Sequence, residues 1–381
     1  MNAHRTSRLL WSATAVGFLA MAASWFVCGP ARFWANWLVW FLFLFTLALG
    51  ALFLVALEHM VAARWSVPLR RIPERLSSLL VPVSAVALLA LGAVPVLYPG
   101  ARPAAAADPV LGGKAVWLGL PFFSARVAIC VALGLLAVAV MFRDSLRQDA
   151  SRDPRYNVRA RRFAPVCMAI FAVLVTQAAF DWIGGLEPAW YSDVMGVYLF
   201  AAAFLAGLAA TALALLYLQG RGRMQAIRFD HWYNLGGFLF AMTVFWAYIA
   251  FAQYMLMWYG NLPDEVSWYQ ARTHGAWLGV ALLLALLRFF VPFFALVPRD
   301  AKGDPRRLLW VSLVVLASHW IDLYWLVFPV LGRTPLFSWP ELGFALFFLG
   351  GTLLWVRSAM ERGEDMPVGD PFLKEGLEFR L

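Results

Sequence analysis

The chain has 381 residues, 62% of them hydrophobic and only 14% charged, with a net charge of +9. A soluble protein of this length carries about 25% charged residues, so that class is excluded. The positive excess is almost all arginine, and its confinement to short loops excludes nucleic acid as its target.

Apolar runs of about 20 residues recur from end to end, which is the length needed to cross a bilayer as helix. They predict an all-α integral membrane protein of ten transmembrane helices, over residues 9–28, 33–57, 76–98, 115–142, 163–183, 191–218, 232–259, 275–297, 308–328 and 341–356. The first run follows Arg5 and Arg8, as in a signal peptide. It is long, however, and its end at Trp25–Cys28 lacks the small residues of a cleavage site, so a retained helix is expected. Residues 98–108 are rich in Pro, Ala and Gly and read as a loose loop. Pro340 suits a helix start. Residues 357–381 read as a polar tail, expected along the membrane surface or against a partner.

Loop charge sets orientation. With the N-terminus inside, the inner segments hold Arg5 and Arg8, Arg64 to Arg75, the seven arginines from Arg143 to Arg162, Arg221 to Arg228, Arg299 to Arg307, and the basic residues of the tail. The outer loops hold only Arg32, Arg102, Lys114, Arg272 and Arg333. The asymmetry predicts both termini on the cytoplasmic side of the membrane. Trp and Tyr gather at span ends, as an aromatic belt requires.

Spans five and nine look alike. One carries Asp181-Trp182 with Pro188 and Trp190 following, and the other carries Asp322, Tyr324 and Trp325 with Pro329 following. Four spans separate them. This suggests two four-helix bundles, spans two to five and six to nine, plus one flanking helix at each end of the chain.

Ionisable groups inside the apolar runs are the candidate functional residues. An acid or base at mid-membrane costs about 2.5–3.5 kcal/mol on insertion scales and must be retained for a reason. Asp181 ends span five, in a hairpin rich in Trp and Tyr that carries no Lys or Arg. His319 and Asp322 share a face of span nine, where a His–carboxylate pair can hold and release protons. Arg126 and Arg288 lie within spans four and eight. Glu58 and His59 end span two at its inner side. The three cysteines are unpaired in spacing, with no CxxCH or four-Cys set, so neither covalent haem nor an iron–sulfur cluster is expected, nor a metal. His319 is the only clearly mid-membrane histidine, which argues against a bis-histidine haem.

Four stretches carry a family resemblance. They are Phe180-Asp181-Trp182 with Leu186-Glu187-Pro188, Trp190-Tyr191-Ser192 and Gly196-Val197-Tyr198; the run from Phe245 to Glu265; Ala63 to Arg71; and Trp320-Ile321-Asp322-Leu323-Tyr324-Trp325. Together they resemble the smaller of the two polysulfide-reductase-type (NrfD-like) membrane subunits of bacterial alternative complex III, a quinol:cytochrome c or quinol:oxidase oxidoreductase. The likeness spans residues 52–355 and departs at Ile183-Gly184-Gly185, where the family has a Met-Ser pair before Leu186.

The resemblance implies the two-bundle layout with ten helices. It implies as partners a larger homologous NrfD-like membrane subunit, a periplasmic iron–sulfur subunit, haem c subunits and a terminal oxidase, with lipid around them. It implies quinone or menaquinone as the substrate-like cofactor of the complex. It also implies a proton path through buried groups, here Asp181, His319, Asp322, Arg126 and Arg288. Two other readings stay open from the sequence: a secondary transporter, which ten spans and a repeat would suit, and a purely structural membrane anchor.

Overall fold

A computed structural model describes residues 3–109 and 111–381, and the Arg5 side chain, counted among the basic residues above, lies outside what is described. The described residues are helical with turns between, as a chain in lipid must be, since each backbone N–H and C=O has to be satisfied within its own segment. Among the described residues, ten helices are long and apolar enough to cross a membrane, and the chain is a multi-pass membrane protein. Spans 1 to 10 are Thr6–Cys28, Pro30–Met60, Arg71–Leu97, Leu120–Ser151, Arg155–Leu186, Met195–Gln219, Phe229–Gly260, Ala276–Leu296, Pro305–Leu331 and Trp339–Met360.

Spans 2 to 5 form one ring of neighbours and spans 6 to 9 a second. Spans 2 and 6 are the joint between the rings. Their apolar windows are 94% and 83% buried, against 17% for span 8 at the periphery. The joint is a close crossing of Gly50 and Gly207. A Cβ on Gly50 would sit 1.9 Å from the carbonyl oxygen of Ala203, and one on Gly207 would sit 2.4 Å from the carbonyl carbon of Gly50. Small residues that let backbones touch are how helices associate where the hydrophobic effect offers no drive. Because the rings lie four spans apart in the chain, span 2 runs parallel to span 6, and each later span to its counterpart.

The flanking helices do not stand at opposite ends of the molecule. Spans 1 and 10 pair along their lengths, and the pair lies beside spans 2 and 3. Glu341 on span 10 fixes it, accepting from Arg32 Nη2 at 2.7 Å and from Asn36 Nδ2 at 2.9 Å, both on span 2.

Three connections differ from the sequence reading. The basic segment 143–162, expected as a loop, is mostly helix: spans 4 and 5 run on past the apolar stretch and leave only residues 152–154 between them. Ala, Arg, Gln and Leu favour helix once outside lipid, and Asp144 supports the extension with Arg159 Nε at 3.0 Å. Residues 263–273 form a helix, Pro263–Thr273, where the sequence indicated only a link. The stretch 98–108 is a set of tight turns, among them Pro99–Ala101 and Pro103–Ala107. The tail from Glu361 onward packs on the chain's own arginine-rich face, while residues 357–360 complete span 10.

Candidate functional site

Each bundle buries an arginine–aspartate pair on corresponding spans: Arg126 on span 4 with Asp181 on span 5, and Arg288 on span 8 with Asp322 on span 9. Each pair adjoins a π-helical turn, Ala178–Ile183 around Asp181 and Leu286–Phe290 around Arg288. Such turns widen a helix by one residue and recur at functional sites. The resemblance between the pairs ends there.

The first pair is closed. Arg126 Nε donates to Asp181 Oδ2 and Nη2 to Oδ1, both at 2.9 Å, and Nη1 donates to the Trp117 carbonyl at 2.8 Å. Asp181 also accepts from Trp117 Nε1 at 3.3 Å and from Gln177 Nε2. The guanidinium lies over the Trp117 ring at 4.1 Å. A bidentate pair with each guanidinium nitrogen and both carboxylate oxygens engaged is the geometry in which a buried ion pair recovers its desolvation cost. Asp181 faces the interior of spans 2 to 5, with its lone pairs already committed.

The second pair is open. Arg288 Nε approaches Asp322 Oδ2 only to 3.6 Å, beyond hydrogen-bonding distance. Arg288 Nε and Nη1 and Asp322 Oδ2 make no hydrogen bond, although both residues are fully buried. Asp322 Oδ1 accepts from the Tyr198 hydroxyl of span 6. Trp246 Nε1 lies near Asp322 without completing a bond.

His319, one turn from Asp322, joins this cluster to the first bundle. Thr46 on span 2 is 2.8 Å from His319 Nε2, and its hydroxyl donates to the Leu42 carbonyl at 2.6 Å. With that proton committed, Thr46 accepts, so Nε2 carries the imidazole hydrogen. His319 Nδ1 is then the acceptor for Arg288 Nη2 at 3.2 Å. The network fixes a neutral His319 of one tautomer between an arginine donor and a threonine acceptor. A proton placed on Nδ1 would face the Arg288 N–H and break that bond.

Glu58 and His59 are buried at the arginine-rich end of span 2. Glu58 Oε2 makes no hydrogen bond and lies within electrostatic reach of Arg70 and Glu74. Glu74 accepts from Arg71 Nη1 at 2.8 Å and Ser145 Oγ at 2.9 Å through one oxygen, while its other oxygen has no hydrogen bond. His59 is not brought near His319, which lies on the far bundle against Thr46, thirteen residues before His59 on the same helix.

Three contributors escape sequence reasoning. Tyr198 reads as a belt ring, and Thr46 as one polar residue in an apolar helix. Arg272 reads as a loop charge, yet it is 1% exposed. It holds Glu187 at 2.7 Å, donates to the Leu326 carbonyl at 3.0 Å and stacks on Trp268 at 3.8 Å, while Trp190 stacks on the same Trp268 at 4.4 Å. Burial pushes the Arg272 guanidinium below its ordinary value, and the Glu187 charge opposes that shift. The hairpin that joins the bundles is thereby clamped onto the second.

The described residues also leave a crevice of about 30 Å3 among spans 2 to 5, lined by Phe41, Leu80, Val127, Leu174 and Gln177 beside Asp181. That is room for water and far short of an aromatic ring with substituents. No protein-family model matches the chain, and comparison with curated proteins found no match.

Proposed function

We propose that this chain is a membrane subunit of a bacterial respiratory quinol:cytochrome c or quinol:oxidase oxidoreductase, and that its second bundle holds and passes protons at His319, Arg288 and Asp322. In this reading it lies in the inner membrane with both ends in the cytoplasm, beside a larger homologous membrane subunit, with iron–sulfur and haem c subunits on the outer side. Four motif stretches and the loop-charge asymmetry support the assignment. The observation that carries the proton role is the open Arg288–Asp322 pair, fully buried and incompletely hydrogen-bonded.

The chemistry follows from the tautomer. Protonation of His319 Nδ1 expels the Arg288 donor. The guanidinium then closes the short gap to Asp322 Oδ2, which accepts without competition. Deprotonation reverses the move. One side chain thus exchanges between two acceptors in step with one proton, a bistable element of the kind that proton-coupled machines require.

Quinol oxidation itself fits this chain poorly. The carboxylate that borders the crevice described in the first bundle, Asp181, has its acceptor positions filled by Arg126, Trp117 and Gln177. The proposal therefore assigns quinone or menaquinone binding to the homologous subunit. For the first bundle, the closed Arg126–Asp181 pair favours an anchoring role. The test is the reconstituted complex carrying Asp322→Asn or His319→Gln. Assembly and quinol oxidation should persist in uncoupled membranes while quinol-driven proton uptake falls at least about tenfold, the scale of one lost proton-transfer group. Unchanged proton uptake in both variants would sink the proposal.

A further inference from the structure

The tail beyond span 10 is bound at successive points across the arginine-rich face. Asp365 accepts from Arg223 in the connection between spans 6 and 7, and meets Arg75 of span 3 at 3.4 Å. Gly369 N donates to Asp149 Oδ1, at the end of span 4, at 3.0 Å. Asp370 accepts from Arg70 Nη1 at 2.6 Å and from Asn157 Nδ2 of span 5 at 3.0 Å. The Phe372 ring lies 3.2 Å from the Arg64 guanidinium. The Gly376 carbonyl is 2.9 Å from His231 Nε2 of span 7. The segment therefore crosses from the second bundle over the mouth of the first and back.

Beneath it lie Glu74, Arg70, Arg71 and Ser145, all under a tenth exposed although the helices bearing them end at the membrane's polar side. Glu58 and Glu74 keep oxygens with no hydrogen bond, and Arg70 and Arg71 keep donors likewise unengaged. A polar cluster left incomplete at a water-facing helix end is costly unless water or a further polar group reaches it.

We propose that residues 361–378 are a removable seal that closes the arginine-rich mouth of the first bundle and so controls entry of water and small polar solutes to Glu58 and Glu74. The seal is held by polar contacts and tight backbone fit more than by apolar burial. Its release therefore exchanges polar contacts for water and uncovers little apolar surface, as expected of a segment that opens locally without unfolding the spans. Gly369 is its tightest point: a Cβ there would stand 2.1 Å from the Gln148 carbonyl oxygen. The seal does not depend on the proton reading, since it concerns access to a cluster in the other bundle.

Access is measurable with cysteine labelling. Ser145→Cys places a thiol under the seal beside Glu74, and Ser151→Cys places one on the exposed surface of the same helix. Both would be made in the full chain in nanodiscs, where both faces meet solvent, and treated with a charged maleimide. Of the native cysteines, Cys130 and Cys167 lie well inside spans 4 and 5, and Cys28, part-buried at the end of span 1, would be replaced by Ser in every variant compared. Ser145→Cys should react at least about tenfold more slowly than Ser151→Cys. Adding Gly369→Val, or separately Asp370→Ala, should raise its rate about tenfold, the effect of shifting a local opening by one ordinary contact, and leave Ser151→Cys unchanged. Both additions would be checked for monodispersity, and since one acts by bulk and the other by loss of charge, they do not share a route to misfolding. Equal rates with and without them, or a Ser145→Cys as reactive as Ser151→Cys in the unaltered tail, would overturn the seal.

Discussion

At the scale of the residue, two Arg–Asp pairs with the same composition have opposite properties because of their second contacts. Asp181 is met by four donors and each Arg126 guanidinium nitrogen makes a hydrogen bond, so the pair stands as a unit. Removing one charge leaves the other buried and unpaired, which costs about 3–5 kcal/mol. Asp181→Asn should therefore lower thermal stability sharply in detergent. Asp181→Asn with Arg126→Met should recover much of the loss, and a double-mutant cycle on melting temperature checks it. Asp322 has one hydrogen bond, from Tyr198, and a cation held off at 3.6 Å. Asp322→Asn should cost less stability than Asp181→Asn, by at least about 1 kcal/mol, because Arg288 already makes its hydrogen bond to His319 and not to the acid. The same unfolding assay compares the two, and equal losses would contradict the distinction. Both aspartates were visible in the sequence as acids in apolar runs. Their difference was not, because it depends on Trp117, Gln177 and Thr46, each unremarkable in its own segment.

At the scale of the element, spans were legible because lipid demands long apolar helices, and their ends were not. Spans 4 and 5 continue as polar helix, where the hydropathy signal stops but helix propensity does not. The helix Pro263–Thr273 is too short and polar to announce itself, yet it carries Arg272 and Trp268, which clamp Glu187 and Trp190 of the hairpin. Glu187 is 30% exposed at its side chain, so its removal should cost on the order of 2 kcal/mol, less than a fully buried pair. Glu187→Gln should lower the melting temperature and speed proteolysis of the hairpin between Leu186 and Met195, as limited digestion would reveal. Gly50 and Gly207 set the distance between spans 2 and 6, and no periodicity in those uniformly apolar helices singles them out. Gly50→Leu cannot be accommodated beside the Ala203 carbonyl without parting the bundles. It should yield a chain that inserts but migrates as polydisperse material on size exclusion, whereas Leu49→Ile, at a neighbouring buried position, should not.

At the scale of the whole molecule, two parallel four-helix rings are joined at three depths. At the hairpin end the joint is Glu187–Arg272, in the middle it is the Gly50–Gly207 crossing with the Thr46–His319 bond, and at the arginine-rich end it is the tail. The repeat was faintly legible as Asp181 and Asp322. The pairing of spans 1 and 10 was not, nor the docking of that pair on span 2 through Arg32 and Glu341, 309 residues apart. Orientation rests on charge alone: the tail binds Arg64, Arg70, Arg75 and Arg223, so the face it covers is the one the positive-inside rule assigns to the cytoplasm. The prediction is a paired reporter experiment. Leu381 is exposed, so a fluorescent protein fused after it can be borne without disturbing the docked segment. That fusion should fluoresce, because such proteins mature in the cytoplasm. A phosphatase active only outside the cytoplasm, inserted after Tyr191, should be active, since Tyr191 is exposed in the hairpin that carries no Lys or Arg. The reverse pair of results would invert the whole chain, and with it the side from which water would reach Glu58. One active and one silent reporter would contradict the span count, because five spans separate Tyr191 from Leu381 and an odd number must put them on opposite sides.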